Sequence, residues 1–130
     1  MKHLTVIAED RVGLMAELTE ILAARQIDIS NISAKLYGTD AVIHLEVDQY
    51  EATIHALEEE QFHVVTDDAV LLRIEDKPGG LALVAKRLAE QQIAIRAMTV
   101  VQRHDGYTIM AVGADDIAAV RRLMQDLVVQ

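Results

Sequence analysis

Residues 9–29 read EDRVGLMAELTEILAARQIDI, and residues 75–95 read EDKPGGLALVAKRLAEQQIAI. The two stretches align at a constant offset of 66 residues, and nine of their 21 aligned positions are identical. Self-similarity at a fixed spacing indicates a duplicated structural unit rather than one continuous domain. The 130-residue chain is therefore predicted to contain two units, residues 1–66 and residues 67–130, joined by a short polar turn.

Hydropathy patterns around the repeat predict the order β-α-β-β-α-β in each unit. In unit 1, strands are expected at residues 2–8, 30–37, 41–47 and 62–66, and helices at 12–25 and 50–61. Unit 2 repeats this order, with its last strand truncated to residues 128–130. Two helices on one face of a four-stranded antiparallel sheet make a ferredoxin-like fold of the α+β class. The sequence thus predicts two ferredoxin-like units in tandem.

The alternation of apolar residues predicts which strand faces meet the helices. In unit 1, the strand over 41–47 turns four residues inward: Ala41, Ile43, Leu45 and Val47. In unit 2, the following three are expected inward: Tyr107, Ile109 and Ala111. This leaves an apolar outer face in unit 2 made of Leu71, Val101, Met110 and Val112. Because a monomer rarely leaves a large apolar patch bare, a homodimer is expected.

Composition excludes several classes of protein. The chain has no cysteine, which excludes a disulfide framework, a thiolate metal site and a cysteine nucleophile. A formal net charge of −9, without a basic stripe, argues against nucleic-acid binding. No apolar run reaches the roughly 18–20 residues that span a bilayer, and no export signal is recognisable. We therefore expect a cytoplasmic protein without nucleic-acid or membrane partners.

The repeated Asp-x-x-Gly loop lies between the first strand and first helix of each unit. Asp10 and Asp76 are residue types that cap helix N-termini, and Gly13 and Gly79 let the backbone approach another group closely. The N–H groups of a helix start attract carboxylates, and a nearby Asp suits an ammonium group. The loop therefore suits an amino acid zwitterion, although helix capping and close packing alone would also account for it.

The segment Asp10-Arg11-Val12-Gly13-Leu14, followed by a helix and by Gln26-Ile27-Asp28-Ile29, resembles the ACT domain. The family pattern is a polar residue, any residue, Pro, Gly, an apolar helix and then Gly-Ile-Asn-Ile. The segment Asp76-Lys77-Pro78-Gly79-Gly80-Leu81 is a closer match. Val12 departs from the pattern where Pro is usual, as do Gln26 and Gln92 where Gly is usual. The resemblance covers the whole chain as a tandem pair and is similar to small stand-alone ACT proteins.

This resemblance implies a non-enzymatic regulatory or sensor protein that binds an amino acid or a similar small ligand at interfaces between ACT units. The ligand-binding residues it implies are Asp10, Val12, Gly13, Leu14, Asp28 and Asn31 in unit 1, and Asp76, Pro78, Gly79, Gly80 and Leu81 in unit 2. Ala94 stands in unit 2 where unit 1 has Asp28. A pocket using Asp10 and Asp28 is therefore expected to be the better of the two.

A protein-interaction or oligomerisation module with vestigial ligand pockets is the alternative, and any enzyme partner stays unidentified. Catalytic residues are not expected, since Ser30 and Ser33 are the only serines and no Gly-x-Ser-x-Gly elbow surrounds them. No metal ligands are expected either, because the five histidines lack a ligand spacing. A pairing of His44 with His63 across the fold stays open. No cofactor is expected.

Overall fold

The computed structural model describes residues 2–129, which divide into two compact units with the boundary between Asp67 and Asp68. Unit 1 contains β1 (Lys2–Glu9), α1 (Leu14–Ala24), β2 (Ile29–Tyr37), β3 (Asp40–Val47), α2 (Tyr50–Glu59) and β4 (His63–Thr66). Unit 2 contains β5 (Val70–Glu75), α3 (Gly80–Glu90), β6 (Ile95–His104), β7 (Tyr107–Ala114) and α4 (Ile117–Leu123). The predicted α+β class, with ferredoxin-like units in tandem, is confirmed.

Unit 1 is a four-stranded antiparallel sheet covered by two helices. Its strand order is β2-β3-β1-β4. One buried stripe on α1, spaced four residues apart, consists of Leu14, Leu18 and Leu22. These residues pack with the inward row of β3, namely Ala41, Ile43, Leu45 and Val47. The inward face of β3 therefore lies where the alternation predicts it, and the core is aliphatic.

Unit 2 has a three-stranded antiparallel sheet in the order β5-β7-β6. A fourth segment reaches β5 through one bridge between Leu72 and Val128. Two backbone hydrogen bonds flank this bridge: Arg73 N–H donates to the carbonyl of Leu127 at 2.9 Å, and Val129 N–H donates to that of Leu71 at 3.0 Å. The counterpart of β4 is thus a bridge rather than a strand within the described residues.

The sequence-based assignment of the two faces of β7 is wrong. Met110 and Val112 lie in the core of unit 2 with Leu72 and Val70. Leu72 pairs with Met110, and Val70 pairs with Val112. Cross-strand partners share one face of a sheet, so both residues of β7 point towards the helices. The outward apolar patch expected to support a homodimer therefore loses two of its four residues.

A one-residue bulge in β6 explains this reversal. The pairing of β6 with β7 shifts register between Val100 and Gln102, in addition to a shift near the start of the strand that β2 shares. Before the bulge the units match at an offset of 66 residues. After it the offset is 67, since Ala8 pairs with Ala41 while Ile74 pairs with Thr108. A shift of one residue turns every later side chain to the other face.

The ends of α1 and α3 explain two departures from the ACT pattern. Gln26 and Gln92 have φ angles of 57° and 59°, in the left-handed region that glycine adopts most readily. At α1, Gln26 N–H donates to Ala23 and Ile27 N–H donates to Leu22, both at 3.0 Å. This is the hydrogen-bond pattern of a Schellman motif, in which glycine is usual. The two glutamines therefore hold the conformation for which the family uses glycine.

Candidate functional site

The loops after β1 and β5 have the same backbone geometry. Asp10 N–H donates to the carbonyl of Thr39 at 2.8 Å, and Asp76 N–H donates to that of Gly106 at 2.9 Å. Thr39 and Gly106 lie in the β2–β3 and β6–β7 turns respectively. Each loop is thus anchored on the neighbouring hairpin, which leaves its aspartate side chain exposed.

Glycine, not aspartate, caps the helix that follows each loop. The N-cap residues are Gly13, with φ 87°, and Gly79, with φ 86°, and neither helix start has a side-chain cap hydrogen bond. The prediction that Asp10 and Asp76 cap these helices is therefore wrong. A capping side chain must stand directly before the first helical residue, whereas each aspartate lies three positions before the actual N-cap. Both carboxylates are consequently not used in capping.

In unit 2 the loop borders a cavity of about 260 Å³. All five unit 2 residues named by the resemblance line it: Asp76, Pro78, Gly79, Gly80 and Leu81. The other lining residues are Ile74, Glu75, Lys77, Ala82, Arg103 and Thr108. The cavity is smaller than the roughly 300–1,000 Å³ typical of pockets for drug-sized ligands. Its size therefore suits a molecule such as an amino acid.

Close approach of the backbone requires Gly80 at this cavity. A Cβ atom on Gly80 would lie 2.9 Å from the backbone carbonyl oxygen of Glu75 and 3.5 Å from Cδ1 of Ile74. Such a contact with backbone cannot be relieved by rotating a side chain. In unit 1 the matching position is Leu14, which is 3% exposed and part of the core. The two loops therefore share a backbone path but differ in the space behind it.

Unit 1 does not bring its two predicted carboxylates together. Asp10 follows β1, whose last residue, Glu9, pairs with Asp40, whereas Asp28 precedes β2, whose first residue pairs with Val47. Seven strand residues separate these two points on β3, which is about 23 Å at roughly 3.3 Å per residue. The expectation of one pocket using Asp10 and Asp28 is therefore wrong within unit 1.

The remaining predicted residues of unit 1 are divided between the same two ends. Val12 is fully exposed beside Gly13 in the loop. Asp28 lies at the far end, where its N–H donates to Oδ1 of Asp48 at 3.0 Å. Asn31 is exposed and pairs with Glu46 at that end of β3. Asp28 and Asn31 therefore form a group separate from the loop.

Unit 2 also has a cavity at its far end, of about 510 Å³, beside the segment Gln91–Ala94 and the start of α4. One of its lining residues, Asp115, accepts two hydrogen bonds from Arg96, at 2.7 and 3.2 Å. Hydrogen bonding to Arg96, together with its positive charge, holds the pKa of the Asp115 carboxyl below its usual range. This cavity includes Ala94 but none of the residues of the β5–α3 loop.

Sequence reasoning missed Arg103 and Thr108. Both lie on strands distant from the loop in sequence, and Thr108 pairs with both Ile74 and Arg103. The signal that could have found them is strand register, which depends on the bulge in β6. Within residues 2–129, no group of three or more histidine, aspartate or glutamate side chains could hold a metal ion. No helix among the same residues is long and apolar enough to cross a membrane.

Comparisons with known proteins support the fold. No family model and no curated protein matches the chain. The crystal structure of a protein from Bacteroides thetaiotaomicron aligns with 20% identity and a TM-score of 0.50, over 98% of this chain and 90% of that one. The ligand-free regulatory subunit of aspartate kinase from Thermus thermophilus aligns with 16% identity and a TM-score of 0.45, over 95% and 90% of the two chains. The acetolactate synthase small subunit from Thermotoga maritima aligns with 15% identity and a TM-score of 0.43, over 99% and 89%. At these identities the likeness concerns the fold alone.

Proposed function

We propose that the chain is a regulatory protein that binds an amino acid or a similar small ligand through the β5–α3 loop, at an interface between ACT-like units. The observation that carries the proposal is the cavity of about 260 Å³ bordered by Asp76, Pro78, Gly79, Gly80 and Leu81. These residues form the stretch that most closely matches the ACT pattern in sequence. Sequence resemblance and cavity geometry therefore support the same site by independent arguments.

The chemistry of the loop fits both charged groups of an amino acid. The exposed carboxylate of Asp76 can accept a ligand ammonium, because it does not cap the helix. The α3 helix has 11 residues, and its first N–H groups carry the positive end of the helix dipole, which favours a ligand carboxylate. A ligand bound only by the folded chain stabilises that state by mass action. Such binding can then bias contact with a partner.

A thermal-shift screen of the twenty amino acids on the full chain tests this function. We expect at least one to raise the melting temperature, and Asp76→Asn to abolish the rise. Asp10→Asn, at the matching position of unit 1, is the control and should keep it. If no amino acid raises the melting temperature of the wild-type chain, the sensor function is wrong and an interaction module is the better account.

The proposal also includes a homodimer. Its support is β6, a ten-residue strand at one edge of its three-stranded sheet, where Val100 is 40% exposed. Edge strands offer unpaired backbone groups to a second chain. Light scattering at micromolar concentration should give twice the 14.4 kDa mass of the chain. A mass of one chain under those conditions would contradict the homodimer.

A further inference from the structure

We infer that Arg103 and Thr108 form an anion subsite in the cavity of unit 2, which receives the carboxylate of a small zwitterionic ligand. This inference rests on the proposed function, because it assigns ligand chemistry to the same cavity. It also assigns the subsite to unit 2 alone, since unit 1 has neither residue at the matching positions.

Strand register places the two residues side by side. Thr108 on β7 pairs with Ile74 on β5 and with Arg103 on β6. Partners in adjacent strands share a face and stand about 4.5–5.5 Å apart between Cβ atoms. Ile74 packs in the core beneath the helices, which fixes the row on the helix side of the sheet. Arg103 and Thr108 therefore lie beneath the β5–α3 loop, and both line the cavity.

The Thr108 hydroxyl is buried without a hydrogen-bond partner. Thr108 is 3% exposed, and the structure gives its side chain no hydrogen bond to any residue between 2 and 129. A buried hydroxyl that forms no hydrogen bond destabilises the folded chain. Because Thr108 lines the cavity, a ligand oxygen there can accept its hydrogen bond.

The charges around the cavity complement a zwitterion. Glu75 and Lys77 form an ion pair with Nζ 3.3 Å from Oε2, so they largely offset each other. The two other charged lining residues are Asp76 and Arg103, which carry opposite charges. Arg103 forms no ion pair among the described residues. A guanidinium can donate two parallel hydrogen bonds to one carboxylate, while Asp76 can accept from the ligand ammonium.

Unit 1 supplies an internal comparison. The row that matches Ile74, Thr108 and Arg103 consists of Ala8, Ala41 and Leu36. It therefore offers neither a hydroxyl nor a guanidinium. Leu14 further replaces Gly80 and is buried in the core. The duplicated loop is consequently backed by apolar side chains in unit 1 and by polar side chains and open space in unit 2.

The bulge in β6 brings the arginine into this row. Leu36 is followed by one residue before the end of β2, and Arg103 likewise precedes the last residue of β6. Without the extra residue between Val100 and Gln102, the offset of 66 would place Gln102 at the position of Leu36. The bulge thus substitutes a cationic side chain for a neutral amide beneath the loop.

An NMR titration of the full chain with sodium acetate tests the subsite, with sodium chloride at equal ionic strength as the reference. In the wild-type chain, acetate should cause saturable shifts of the amide signals of Gly79, Gly80 and Thr108. Arg103→Leu should weaken this binding about tenfold or more, since hydrogen bonds to charged groups are among the stronger ones. Arg122→Leu removes the same charge from exposed α4 and should leave it unchanged.

A second pair of variants separates binding from folding. Thr108→Val removes the hydroxyl and should weaken acetate binding, whereas Thr108→Ser retains the hydroxyl and should preserve it. Dispersed amide spectra establish that each variant folds. Equal shifts in the wild type and Arg103→Leu, or equal shifts with chloride and acetate, would overturn the subsite.

The amino acid screen distinguishes this failure from failure of the proposed function. If acetate binds through Arg103 but none of the twenty amino acids binds, the anion subsite stands and the amino acid sensor falls. If an amino acid binds the wild type and Arg103→Leu with the same Kd, the sensor stands and the subsite is wrong.

Discussion

Gly79→Ala should destabilise the chain through backbone conformation alone. The φ angle of Gly79 is +86°, and a Cβ atom there would meet no other atom within 4 Å. The cost therefore arises from holding an L-residue in the left-handed region, about 1–2 kcal/mol. No steric clash adds to this value, and alanine gains no helix propensity at an N-cap that is not helical.

Gly13→Ala provides a matched test in unit 1. Its φ angle is +87°, and its surroundings are equally open, so we expect the same loss of about 1–2 kcal/mol. Asparagine tolerates the left-handed region better than alanine does, so Gly79→Asn should cost less than Gly79→Ala.

Urea denaturation followed by circular dichroism measures these free energies of unfolding. A loss of about 1 kcal/mol lowers the melting temperature by roughly 4–8 °C in a domain of 60–100 residues. Unchanged stability in Gly79→Ala would refute the backbone argument. An equal loss in Gly79→Asn would show that side-chain bulk, rather than the φ angle, sets the cost.

Three further outcomes follow from the structure. Gln92→Gly should raise the free energy of unfolding by up to about 1 kcal/mol, since φ is 59° there; a decrease in urea denaturation would contradict this. Met110→Ala should cost about 2–5 kcal/mol because the side chain is fully buried, whereas Leu36→Ala, at a position 58% exposed, should stay within about 0.5 kcal/mol; equal effects would refute the assigned face of β7. Arg96→Ala should raise the pKa of Asp115, which the hydrogen bond and charge of Arg96 lower, as NMR titration can measure. The lowered pKa stabilises the folded chain above the unfolded-state pKa, and this is lost as pH falls through the folded-state pKa, so the variant should lose less stability on acidification.

The repeat and the strand pattern of unit 1 made most of the fold predictable. Inward and outward residues alternate clearly along β3, where His44 and Glu46 interrupt the apolar row. The run Ile109 to Val112 in β7 is apolar throughout. Alternation therefore cannot decide its faces, and only pairing with β5 does so. A bulge is a property of two paired strands, which explains why a repeat found along one stretch of sequence did not reveal it.

The site was predictable only in part, for the same reason. The loop residues of unit 2 are contiguous in sequence, so a local motif identifies them. Arg103 and Thr108 join them through the pairing of three strands. The separation of Asp10 from Asp28 likewise depends on the antiparallel register of β1, β2 and β3. Local sequence names candidate residues, but strand register decides which of them can touch one ligand.

The most direct test of ligand binding at the β5–α3 loop is an NMR spectrum of the ¹⁵N-labelled full chain with and without a mixture of the twenty amino acids. We expect saturable shifts concentrated in residues 76–81 and at Arg103 and Thr108, with the matching loop of unit 1 unaffected. An unchanged spectrum, or shifts confined to other parts of the chain, would contradict the account.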